Sequence, residues 1–166
     1  MLVAGVISRK HIDDVVLHTN FPDRKLQSFL KNNNINRTNA SFEDIKKIYK
    51  YYLKEGHIKY ELHPFLEKRL IKHFEELQKG IKHSPNYIWE QTGGLPGIHA
   101  EVLSVNEMLH KIEKSMKTKD LIMSEDIFKE MIGFNKNLTQ NAVMIRCGDC
   151  NFLTYDIPFI EKIIKQ

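Results

Sequence analysis

The spacing of apolar and polar residues changes several times along the chain, and each change marks an element. Leu2–Ile7 is a short run rich in Val and Ile, and Val15–Thr19 is a second β-like run. The polar stretch Ser8–Asp14 between them predicts a hairpin with a loose loop, although Ile12–Leu17 also fits helical spacing. Beyond Pro22, Leu26, Phe29 and Leu30 recur at helical spacing until Asn32-Asn33-Asn34 breaks the pattern. Ser41 and Asp44 have the spacing of a capping box, with the acid shortened from Glu to Asp. Phe42, Ile45, Ile48, Tyr49, Tyr52 and Leu53 follow on one helical face, and Gly56 supplies the stop. Pro64 opens a third helical pattern with Phe65, Leu66, Ile71, Phe74 and Leu77, ended by Gly80. These stripes read as core packing, and Lys46, Lys47, Lys50 and Lys54 as a solvated face.

Residues 81–97 are rich in breakers, ending in Thr92-Gly93-Gly94-Leu95-Pro96-Gly97. A long helix is predicted from about Ile98. Ala100, Leu103, Met108 and Ile112 give it an apolar face, which Val102, Val105 and Leu109 widen towards burial on two sides. Ser124-Glu-Asp-Ile127 predicts another helix start with Gly133 at its end, Ala142–Arg146 a strand running into Cys147, and Ile157–Gln166 a short terminal helix with Pro158 in its first turn. The sum is an α/β protein in one domain over residues 1–166.

Composition narrows the class. A chain of 166 residues with 42% hydrophobic content can fill one core, which argues against disorder. No apolar run approaches the roughly 18 residues of a spanning helix, so membrane insertion is not expected. The apolar start, Met1–Ile7, has no basic leader and reads as a strand rather than a signal peptide. A net charge of +4 permits phosphate-bearing ligands without demanding them. Two cysteines exclude a disulfide scaffold, and their C-x-x-C spacing suits half of a metal site or a redox pair.

The candidate chemistry lies in His99-Ala100-Glu101, after the glycine-rich loop, and Cys147-Gly148-Asp149-Cys150, after an apolar strand. A catalytic zinc takes three nitrogen or thiolate ligands and keeps a fourth position for water. His99, Cys147 and Cys150 make such a set if two helix N-termini meet over one ion. Glu101 is then the non-ligand carboxylate beside that water, placed to move protons. His110 is the obvious spare ligand, but it lies about three turns down the same helix. H-x-E or C-x-x-C alone is a weak signal; together, in this order and context, they form the zinc-deaminase signature.

The resemblance goes further than the short pattern. Gly94-Leu-Pro-Gly-Ile-His-Ala-Glu-Val102, with Asn106 downstream, resembles the YwqJ-like deaminases of bacterial polymorphic toxins, and so does Arg146-Cys147-Gly-Asp-Cys150. His63-Pro64-Phe65-Leu66 ahead of a helix is similar to a further segment of those toxins. The likeness covers residues 94–106 and 142–151 and extends to 1–20 and 60–72. It does not reach 22–58, which reads as a helical insertion. Arg146 stands where the general signature has proline, a departure that the toxin branch tolerates.

This resemblance implies a cytidine-deaminase-like α/β fold, a mixed sheet between helical layers, and zinc-dependent hydrolytic deamination of a nucleobase, with cytosine to uracil in nucleic acid or nucleotide as the expected conversion. It implies a secreted or delivered effector, the C-terminal part of a larger protein, used in interbacterial competition. It would act in the target-cell cytoplasm and be blocked by a cognate immunity protein; no oligomer is required. Deaminases of this fold often place an Asn at the end of the second strand against the substrate's sugar or base. That makes Asn20 a substrate-binding candidate, with Ala100 beside it; a polar strand end is the plain alternative. Tyr87 and Trp89 precede the glycine loop, where they could stack on a base or simply pack. Two rival readings stay open: a housekeeping nucleoside or nucleotide deaminase, and a non-catalytic zinc-binding module.

Overall fold

The computed structural model describes residues 2–20, 23–36, 38–80, 95–144 and 146–160. Strands β1 (Leu2–Ser8) and β2 (Asp14–Thr19) form the expected antiparallel hairpin. Helices α1 (Asp23–Asn32), α2 (Phe42–Lys54) and α3 (Pro64–Gln78) follow, then the long α4 (Ala100–Lys117). A 3-10 turn (Glu125–Glu130) leads into β3 (Met131–Asn137), then β4 (Ala142–Val143), α5 (Gly148–Leu153) and β5 (Phe159–Ile160).

The sheet runs β2-β1-β3-β4, with β5 also joined to β3. All pairs are antiparallel except β3–β5, where Gly133 and Phe134 face Phe159 and Ile160 in parallel, so the sheet is mixed. α4 lies across β1, β2 and β3, α5 packs against α3 and α4, and α2 packs against α3. Ser104 bolts helix to sheet: its hydroxyl donates to the carbonyl of Ala4 at 3.0 Å and is also 2.8 Å from that of Ala100.

Four features depart from the sequence expectation. The central strand β3 falls where Ser124 suggested a helix; only the 3-10 turn forms there, and Gly133 lies inside the strand. This glycine is required by close approach, because a Cβ there would run into the Phe159 ring. Of the strand expected over 142–146, Ala142 and Val143 pair with β3 and the Met144 amide donates to the Asn135 carbonyl, while Ile145 lies outside the described residues. The chain at 159–160 joins the sheet rather than opening a helix, and residues 161–166 lie outside the described residues. Finally, the sheet is not flanked on both faces among the described residues. Val15, Leu17 and Ile132, on the face away from α4, are 48%, 58% and 47% exposed.

The helical stripes pack as their spacing suggested, with one instructive exception. Ile45, Ile48, Tyr49 and Tyr52 of α2 join residues of α3, α4 and the sheet in one apolar cluster, and the Ser41–Asp44 capping box is present. On α3, however, Ile71 is exposed, and the buried face combines Leu66, Leu70 and Phe74 with Arg69 and His73.

α3 begins at His63. Its Nδ1 accepts the amide N–H of Phe65 at 3.1 Å, and Pro64 fills the first turn, where no donor is needed. Asn106 of α4 fastens this entry, accepting from the His63 amide at 2.7 Å and donating to the Glu61 carbonyl at 2.9 Å. Burial, then the neighbouring His110, pushes the His63 imidazole down to about 4, against the pull of Glu113. Between that value and about 6.5 the unfolded chain binds the extra proton and the folded chain does not, so stability should fall as pH drops through this window. His63→Asn keeps a capping oxygen without the titration. Melting temperatures taken from pH 7 to pH 4 should fall less steeply for this variant than for the parent; parallel curves would remove His63 as the cause.

Candidate metal centre

Helix α4 is the axis of the site. Every residue from Ala100 to Leu109 is buried, the polar Glu101, Ser104, Asn106 and Glu107 included. The chain reaches it through Gly97, whose φ of +85° favours glycine and whose missing Cβ leaves room for Leu70, 2.9 Å from where that atom would lie. The Tyr49 hydroxyl donates to the Gly97 carbonyl at 2.9 Å, fixing the approach from α2. His99 is then the residue capping α4, but its side chain makes no capping bond. That duty falls to Asn20 at the end of β2, whose Oδ1 accepts the Ala100 amide N–H at 2.9 Å. The imidazole of His99 is left for other partners.

Those partners are the two sulfurs. His99 Nδ1 lies 3.2 Å from Cys147 Sγ and 3.2 Å from Cys150 Sγ. Cys147 caps α5, its sulfur accepting the Cys150 amide N–H at 3.4 Å, and both cysteines are free thiols. The three ligand atoms lie within 4.8 Å of one another, and they are the one such group among the described residues. The structure thus brings together the three ligands expected from sequence, at the starts of two helices. Zinc bond lengths put ligand nitrogen and sulfur about 3.5 Å apart in a tetrahedron, so the set fits that ion with a shift of a few tenths of an ångström.

The electrostatics suit a cation. Cys150's thiol bond, then His99, pulls the Cys147 thiol down to about 5 against the opposing effect of burial. Burial pushes Cys150 well up, helped by Cys147, Glu101 and Asp149. Burial alone would lower His99, but Cys147, Glu101 and Asp149 outweigh it and the imidazole is raised. A thiol drawn towards thiolate, beside a second thiol and an imidazole that hold their protons, is a cluster whose protons a divalent ion can replace.

Glu101 is the second residue of α4, in its first turn, and is 3% exposed. Its Oε1 accepts from the side-chain amide of Asn135 on β3, while its Oε2 is buried with no hydrogen-bond partner among the described residues. The other buried polar side chains of the same helix are all satisfied: Ser104 by carbonyls, Asn106 by the 61–63 segment and Glu107 by His18 at 2.9 Å. A buried polar atom without a partner costs about 1–3 kcal/mol, so this oxygen marks a place kept for a donor. Its charge is felt at both His99 and Cys150, yet it lies outside the group of mutually close ligand atoms.

Several supporting residues carried no signal in the sequence. The face of α3 buries His73 against Asp149, between the two cysteines, with Nε2 and Oδ1 2.8 Å apart and the ring stacked on Phe152. One turn earlier, Arg69 donates to both carboxylate oxygens of Asp156 at 2.8 and 2.9 Å and to the Leu153 carbonyl, with its guanidinium against Phe128. Arg146 donates to the carbonyl and hydroxyl of Thr154 and lies over Phe159, so it ties the two ends of α5 together. His110 stacks on Tyr60 and bonds the Glu61 carbonyl, away from the metal group. Ala100 is fully buried with its amide taken by Asn20. Tyr87 and Trp89 lie outside the described residues.

Comparison with family models, with curated proteins and with solved structures finds no match. No helix among the described residues is long and apolar enough to cross a membrane. The geometry itself defines the class: an α/β protein with a His/Cys/Cys group that can hold a metal such as zinc. Protein purified without chelator should carry one zinc per chain by elemental analysis. Cys147→Ser and Cys150→Ser should each lower that content to a small fraction and reduce the melting temperature. Full zinc loading of both serine variants would place the metal elsewhere.

Proposed function

We propose that this chain is a zinc-dependent hydrolytic deaminase of a nucleobase, with cytosine in nucleic acid or nucleotide as substrate and uracil and ammonia as products. One observation carries the reading: the partnerless oxygen of buried Glu101, two residues from a metal-competent histidine and on the same helix. A structural ion has no use for such a carboxylate; a hydrolytic one needs it for proton transfer.

His99, Cys147 and Cys150 are the residues that hold the ion. Zinc with three protein ligands brings a water in its fourth position to a pKa near 7. Glu101 would take up the two protons of the consumed water in turn, passing one to the ring nitrogen and one to the departing amine. The carbon that loses ammonia gains oxygen, so one water is consumed for each base converted. Asn20 fixes the start of α4 through its Oδ1, which leaves its amide N–H groups for the sugar or base. The signature residues, the mixed sheet and the helix-end placement of the ligands support a cytidine-deaminase-like relationship. The resemblance to YwqJ-like toxins extends the proposal to an effector delivered into a competing cell and held in check by an immunity protein.

Glu101→Gln keeps the shape of the side chain and removes the proton acceptor. General acid–base catalysis is worth about 10²–10⁴ in rate, and one carboxylate here serves several transfers, so ammonia release should fall by at least the top of that range. Zinc content should remain near one per chain. The assay is incubation with single-stranded DNA, duplex DNA, RNA and free nucleotides, reading ammonia and the converted base. A Glu101→Gln protein active at the parent rate would end the deaminase reading. If a nucleic acid is the substrate, a net charge of +4 predicts a shallow loss of affinity with rising salt. Strong activity on a free nucleotide without salt dependence would point to the small substrate.

A further inference from the structure

We infer that Asn135 is the positioning residue of Glu101, a role that rests on the reading above and deepens it. Asn135 lies in mid-strand on β3, opposite Ala4 of β1, with its side chain turned to the α4 face and 1% exposed. Its Nδ2 donates to Glu101 Oε1. A carboxylate only accepts, so this bond also settles which end of the amide faces it. The remaining oxygens, Glu101 Oε2 and Asn135 Oδ1, are both buried and both without a partner.

A pair of orphan acceptors is not what packing would select. An apolar residue at 135 would fill the same strand position, as Met131 does four residues away on the same face, without leaving an oxygen unsatisfied. An amide there does one thing that an apolar side chain cannot. It occupies one carboxylate oxygen from the sheet side and leaves the other as the only basic atom offered to a reacting group. The rotamer of Glu101 is therefore set by a second element, β3, rather than by α4 alone. Pairing of β3 with β1 along the whole of both strands makes that element rigid.

Asn135→Ala removes the hold, and Asn135→Asp keeps the shape while setting a second carboxylate against the first. With the substrate identified by the panel above, both variants should lose about 10–100-fold in kcat, as expected when a reacting group is mispositioned by about 1 Å, with KM changed by less than about threefold. Zinc content should stay near one per chain. In a Glu101→Gln background, Asn135→Ala should cost no further rate, because its effect passes through Glu101. A parent-like kcat in Asn135→Ala, or equal losses in both backgrounds, would overturn the role while leaving the deaminase reading intact. If the parent converts no substrate, that reading fails and the melting temperatures of the same four proteins decide this one. Asn135→Ala should shift the parent and the Glu101→Gln protein by different amounts. Equal shifts would show that the two side chains do not act on each other.

Discussion

The start of α4 sets the buried carboxylate of Glu101 and the imidazole of His99 close to the two thiols at the start of α5, and the rest of the structure is arranged around that constraint. An uncompensated buried ion costs several kcal/mol, and Asn135 alone satisfies only one oxygen of Glu101. A divalent cation held by His99, Cys147 and Cys150 would supply positive charge beside the carboxylate. Two of those three residues stand at the start of α5. Six residues are too few for a helix to be stable alone, so α5 depends on what grips it.

The grip comes chiefly from α3, whose buried face presents Arg69 and His73, four residues apart, to the segment bearing the cysteines. His73 holds Asp149 within the C-x-x-C turn, Arg69 holds Asp156 and Leu153 beyond it, and Arg146 closes the loop onto Thr154. α3 is itself fastened at its start by Asn106 of α4. The two ligand-bearing elements are therefore joined twice, once through the ligand atoms and once through α3. An apolar face on α3 would have buried more hydrocarbon, but it could not have fixed the direction of a six-residue helix.

The ligand set and the helical stripes were legible because each depends on local spacing: H-x-E at a helix start, C-x-x-C across one turn, Ser41–Asp44 as a cap. The central strand was not legible. Met131–Asn137 contains Gly, two Asn and Lys, all poor strand formers, and it is a strand because β1 pairs along all of it and β5 joins part of it. The same tertiary pairing turns Phe159–Ile160 from an apparent helix start into a strand. Arg69, His73 and Asn135 were missed for a related reason. A polar residue on a helical stripe or in a strand looks solvated until its long-range partner is known, and their partners are Asp156, Asp149 and Glu101. Val15, Leu17 and Ile132 misled in the opposite direction, since apolar residues on a strand suggest a covering layer.

The distinction between a catalytic and a structural metal turns on the fourth ligand. A closed structural site needs another histidine, cysteine or carboxylate within reach. Among the described residues the neighbouring candidates are committed elsewhere or too distant. Asp149 is locked to His73, His110 bonds the Glu61 carbonyl in a stack with Tyr60, and His63 caps α3. Glu101 is the nearest alternative, but it falls outside the group of atoms close enough to share an ion, and the sheet holds it through Asn135. A carboxylate tethered away from the ligand group and still keeping one oxygen unpaired is poorly suited to closing a coordination sphere. It is well suited to exchanging protons with whatever completes one. On the proposed reading, the same tether that keeps Glu101 out of the ligand group is what makes it useful as a base.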